Sequence, residues 1–127
     1  MSFQSNQLFM ESRRAGGNLR TKQFHFVKLN AAGKIVSCDT IGERAYGVLL
    51  NAPDNNQVCN ISKGPGGSDV IAGSALAGPG VELTTNAAGR AIPAIADKHY
   101  VNGISLKAAS ADGNTISANL VTYQKNV

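Results

Sequence analysis

An all-β fold built from two similar halves is what this 127-residue sequence predicts, on three observations. The segment NAAG occurs at residues 30–33 and again at 86–89, and laying residues 30–52 on 86–108 without a gap matches seven of twenty-three residues. Short apolar stretches recur at intervals of about 8–12 residues, the spacing of strands in a small barrel or sandwich. Between the halves, SKGPGGSDVIAGSALAGPG holds six Gly and two Pro, which forbids a long helix. A repeated unit of this kind lets two copies bury a hydrophobic face that one copy leaves in water.

Residues 1–22 lack a sustained period and are expected to form an extended or partly helical arm, with the folded body at 23–127. A short helix from Ser5 as N-cap to the Gly stop in AGGN would be marginal without a partner. From FHFVKLN onward the period becomes two, and the NAAG turn closes that strand. Gly33 and Gly89 are expected in equivalent turns, because glycine adopts φ > 0 without steric cost. Further strands are predicted at 35–38, 46–50, 58–61, 70–72, 81–84, 91–95, 101–106 and 115–123. The last of these, TISANLVTY, places Ile116, Ala118 and Leu120 on one face, the pattern of a half-buried antiparallel strand. A two-residue insertion pairs Val58 with Ile116. The halves, about 24–61 and 81–122, are expected to be related by an approximate two-fold axis.

The charge is divided unevenly. Residues 1–34 carry Arg13, Arg14, Arg20, Lys22, Lys28 and Lys34 against Glu11 alone, a net of +5, while residues 35–127 carry a net of −1. All four Phe (Phe3, Phe9, Phe24, Phe26) also lie in the first twenty-six residues. A basic, aromatic N-terminal stretch on an aliphatic body suggests an arm that meets an acidic partner. No stretch resembles a signal peptide or a membrane span, so a soluble chain made in a cytoplasm is expected.

Catalytic and ligand-binding patterns find little support. NAAGKI lacks the first Gly and the hydroxyl residue of a phosphate-binding loop, and turn chemistry accounts for the glycines. There is no GxSxG, and only His25 and His99 are available as bases. Cys38 and Cys59 form no CxxC, and the carboxylates are scattered, so neither a metal nor another cofactor is expected. Two alternatives stay open. One is a single-stranded nucleic-acid-binding barrel, which the basic arm favours and the weakly acidic, aromatic-poor body disfavours. The other is a small hydrolase working through His99.

GERAYGVLLNA, DVIAGSALAGPGVELTTNAAGRAIPA and VNGISLKAASADGNTISANLV together resemble the small head decoration, or capsid cement, proteins of tailed bacteriophages. The resemblance spans about residues 24–122 and lies in the order of the parts. It implies a β-tulip-like or small-barrel fold, a homotrimer on the outer surface of the expanded capsid, and a structural role, clamping neighbouring subunits of the major capsid protein. On this reading Phe3, Leu8 and Phe9 fill pockets on the capsid, and Arg13, Arg14 and Arg20 meet its acidic surface. Tyr46 and Tyr100 are candidates for contacts between copies.

Overall fold

The computed structural model describes residues 10–126, whose regular structure is all β. The expectations at Phe3, Leu8 and Phe9 lie outside the described residues. The strands are β1 (Met10–Arg14), β2 (Phe26–Leu29), β3 (Ile35–Ser37), β4 (Gly47–Leu49), β5 (Val58–Ser62), β6 (Gly66–Ile71), β7 (Glu82–Thr85), β8 (Ala91–Pro93), β9 (Tyr100–Ser105) and β10 (Thr115–Gln124). They form two five-stranded antiparallel sheets, ordered β1-β5-β4-β2-β3 and β6-β10-β9-β7-β8. Replacing each strand of the first sheet by the strand five places later gives the second order, so the halves share one topology.

The repeated turn is the same structure down to single hydrogen bonds. Asn30 Oδ1 accepts from the amides of Ala32 and Lys34, each at 3.0 Å, and Asn86 Oδ1 accepts from those of Ala88 and Arg90, each at 2.9 Å. Gly33 and Gly89 close the two turns at φ +76° and +82°. The backbone repeats even where the residues do not. The three non-glycine residues with positive φ among those described, Phe24 (+63°), Asn56 (+63°) and Lys98 (+69°), correspond to Gly80 (+87°), Gly113 (+93°) and Gly42 (+80°). A left-handed conformation is unfavourable for a bulky residue, so Phe24 and Lys98 are held by their surroundings, whereas Asn adopts it readily.

Each sheet curls until its two edges touch, through the parallel bridges Ala15↔Ile35 and Ala72↔Ala91. Gly16 N–H and Gly73 N–H then donate across the closure to Ile35 O and Ala91 O, both at 2.7 Å. The barrel is therefore made twice, once in each half. The interior of the first holds Ala15, Val27, Ile35, Leu49, Cys59 and Ile61, with Leu19 as a plug. Leu76 plugs the second in the same way: its N–H donates to Ala109 O at 2.9 Å, as that of Leu19 donates to Pro53 O at 2.9 Å.

Three expectations change. First, Leu49 faces Ile61 and Ser105 faces Ala118, so Cys59, not Val58, is the counterpart of Ile116. A one-residue slip exchanges faces, and Val58 is indeed 47% exposed while Cys59 is fully buried. Second, residues 10–22 belong to the first barrel: β1 pairs with β5, and Ala15 and Leu19 are core residues. Edge strands tolerate charge, and Glu11 and Arg13 hid the strand period. The counterpart of β1 is the Gly-rich β6, with Ala15-Gly16 matching Ala72-Gly73.

Third, the halves are not related by a two-fold axis. Residues 24–26 of the first half thread along the second: Ile71 N–H donates to Phe24 O at 3.0 Å, and Phe26 N–H donates to Gly89 O at 2.7 Å. A two-fold would require the reverse pairs, Arg14 with Gly80 and Glu82 with Gly33. Gly33 O instead faces Arg13 Nη1, 3.5 Å away. The joint is head-to-tail, with different surfaces on its two sides.

Candidate functional site

The predicted cations divide between two places on the first barrel. Arg13 joins a knot at the outer edge of β1, where Glu11 accepts short hydrogen bonds from Arg13 Nε and from the Tyr46 hydroxyl. Lys63 lies 4.2 Å above the Tyr46 ring and 3.6 Å from Glu11. The bond from Tyr46 and the neighbouring cations hold the Glu11 carboxyl below its ordinary range. Tyr46 therefore sits half-buried at a charged edge, its ring against the core of the first barrel. Arg14 points the other way and donates from Nη1 to Asn56 O at 2.9 Å, beside Lys34 Nζ, 3.4 Å from Asn56 Oδ1. Arg20 is exposed near Asn18 and Thr21, on the loop that carries the Leu19 plug.

Tyr100 has a different setting from Tyr46. Its N–H donates to Gly42 O at 2.9 Å, which puts it at the joint between the halves. Both histidines are at the same joint. His25 is 4% exposed; its Nδ1–H donates to Gln23 O at 3.0 Å, and its Nε2 accepts from Arg90 Nε at 3.2 Å. Burial, with help from Lys22 and Arg90, pushes the His25 pKa below the ordinary histidine value. Arg90 is held in turn by Asp112 at 2.7 Å. The His99 ring packs against Gly42, where a Cβ would fall 2.3 Å from it. Each histidine thus has a packing role, and His99 lies against backbone.

The thiols are equally occupied. Cys38 is buried between the halves and its pKa is pushed up to about 12, first by burial and then by Glu43. Cys59 is raised by burial inside the first barrel. Among the described residues no three His, Cys, Asp or Glu side chains converge as metal ligands, and no helix is long and apolar enough to cross a membrane.

The second barrel has an outer wall that sequence reasoning did not single out. Glu82 accepts from the Tyr123 hydroxyl and pairs with Lys125 at 2.5 Å. The bond to Glu82 pushes the Tyr123 pKa up to about 12. Glu82 is the counterpart of Phe26, which is 1% exposed beneath the second half. Beside this wall stand Ile95, 78% exposed, and Tyr123, 42% exposed. The signal was present as a mismatch inside an otherwise faithful repeat: FVKL against ELTT.

No family model and no curated protein matches the sequence. A solved structure does match the fold. It is the head fiber gp8.5 N base of bacteriophage phi29, at a TM-score of 0.65 and 20% identity, covering 93% of this chain and 98% of that one. At this identity the likeness extends to architecture, and its coverage takes in both barrels and the joint between them.

Proposed function

We propose that the chain is a structural protein of a tailed-phage virion. It sits on the outer surface of the head as a homotrimer and clamps neighbouring subunits of the major capsid protein. The observation that carries this reading is the match over nearly the whole chain to a phage head fiber base, supported by a motif order in the sequence that resembles phage head decoration proteins. The closed double barrel suits a mechanical role, since curled sheets leave few free edges and the core is aliphatic.

Attachment falls to the N-terminal segment and to the end of the first barrel that carries Arg14 and Arg20. Phe3, Leu8 and Phe9 are the anchors; Arg14 and Arg20 add charge at an end whose cations outnumber its acids. Arg13 is tied to Glu11 and Tyr46 and belongs to a neighbouring surface. The test is co-sedimentation of the full chain, and of a chain lacking residues 1–9, with expanded, DNA-free capsids of the virus that encodes it. The full chain binds at saturable stoichiometry and the shortened chain does not. Absence of binding by the full chain overturns the virion reading. Equal binding by the shortened chain moves the docking element to the barrels.

A further inference from the structure

Among the described residues, the head-to-tail joint inside the chain leaves one surface of each kind without its counterpart. In the second half, the gap between the end of β6 and the NAAGR turn is filled by residues 24–26, through the bonds from Ile71 N–H to Phe24 O and from Phe26 N–H to Gly89 O. The corresponding gap in the first half lies between Arg14 and the NAAGK turn. Ala15 N–H donates to Gln57 O at 2.8 Å, so ladder alternation turns the Arg14 N–H away from β5 and into that gap. Gly33 O stands opposite, and among the described residues it meets Arg13 Nη1 in a long contact of 3.5 Å.

The complementary strand edge is present at the other end of the molecule. Ser105 N–H donates to Val81 O at 2.9 Å and Gly80 N–H to Ser105 O at 2.7 Å, as Leu49 N–H does to His25 O at 3.0 Å and Phe24 N–H to Leu49 O at 2.6 Å. The same alternation therefore turns Gly80 C=O and Glu82 N–H outward, the two groups that Phe24 and Phe26 use inside the chain. Gly80 has φ +87°, the conformation into which Phe24 is forced at +63°.

Side chains complement each other at the same positions. Phe26 packs with Val70 and Leu120 in one apolar cluster. Their counterparts in the first half are Arg13 and Lys63, and the counterpart of Phe26 is Glu82. An apolar contact inside the chain becomes, between chains, a carboxylate brought beside two cations that Glu11 already pairs, with Glu82 itself paired to Lys125 within its own chain.

We infer that a second copy of this chain docks head-to-tail, laying its residues 80–82 between Arg14 and Gly33 with Glu82 against Arg13 and Lys63. This rests on the proposed self-association and names its surfaces. Backbone pairing supplies the register, as in strand addition to a sheet edge, and the charges supply orientation. The contact is heterologous, so it generates a closed ring when the rotation per copy closes.

The experiment mixes isotopically heavy and light full-length chains at low salt and treats them with a zero-length carboxyl-to-amine coupler. Sedimentation is followed in parallel over a wide concentration range. A mixed-isotope peptide joining Glu82 to Lys63 is expected. Glu82→Lys is expected to raise the dissociation constant about tenfold or more, and the double variant Glu82→Lys with Lys63→Glu to recover most of the loss. Unchanged circular dichroism and melting show that each variant is folded; a variant that unfolds is replaced by Glu82→Gln, with a smaller loss expected. Oligomers joined only through other residues, or association indifferent to Glu82, overturn the inference and leave the homotrimer standing. A chain that stays monomeric in solution overturns the inference, and one also monomeric on the capsid overturns the self-association reading with it. Failure of capsid binding, measured separately, bears on the virion reading alone.

Discussion

Where the first half presents Phe26, the second presents Glu82, and nearly everything that distinguishes the two barrels follows from that exchange. The backbones match turn for turn, including left-handed positions that one half fills with Gly and the other with Phe24, Asn56 or Lys98. The outer walls differ because one is covered by the other half and the other, among the described residues, is not. The first wall is apolar beneath its neighbour; the second carries an ion pair and a tyrosine hydroxyl bond. A repeat that is joined head-to-tail must differ at its ends, since each copy meets a different environment.

The most severe way to break the comparison is to truncate the two counterparts in turn. Phe26→Ala is expected to destabilise by about 3–5 kcal/mol through the cavity it leaves, and Glu82→Ala by less than about 1 kcal/mol because its ion pair is partly open to solvent. Denaturant melts of both variants give the contrast, and equal costs would mean that the joint does not bury Phe26. Next comes the pair Gly42 and Lys98. Gly42→Ala combines positive φ with a Cβ driven into the His99 ring, for a loss of about 3 kcal/mol or more. Lys98→Gly, at the matching position, should fall within about 1 kcal/mol. A tolerated Gly42→Ala would show that the His99 contact is loose.

A gentler probe is pH. His25 is neutral in the joint and its pKa is depressed, so the folded state takes up a proton less readily than the unfolded chain. Its contribution is fully present above the unfolded value of about 6.5 and is lost as pH falls below that toward the folded value. Melting temperature should therefore decline across this window, and His25→Asn should flatten that part of the profile; an identical decline in the variant would show that His25 does not carry it. The smallest effect sharpens the comparison. Arg90 is paired with Asp112, whereas the equivalent Lys34 bonds to Asn56 Oδ1, and the counterpart of Asp112 is the uncharged Asn55. Asn55→Asp should add about 0.5 kcal/mol, a gain readable only in careful denaturant titrations.

Much of this was legible because the turns are local. Asn30 and Asn86 organise their own neighbours, so NAAG announces a structure within five residues. β1 and β6 were illegible as a pair because edge strands are free to differ, one charged and one rich in Gly; the shared Ala-Gly at 15–16 and 72–73 was too short a signal alone. The direction of the joint was illegible for a deeper reason. It depends on which faces meet, and the residues that meet, Phe26 with Val70 and Leu120, are those at which the halves diverge most. A sequence repeat argues for a shared fold and says nothing of the operator relating the copies.

The head-to-tail joint is the claim on which the rest depends, and native-state amide hydrogen exchange of dilute protein tests it most directly. The amides of Phe26 and Ile71, bonded across the joint, should exchange slowly, while their counterparts Glu82 and Arg14 should exchange orders of magnitude faster. Raising the concentration until copies associate should slow Glu82 and Arg14 without changing the other pair. Equal protection of all four amides in the monomer would mean a reciprocal, two-fold joint and would contradict the account.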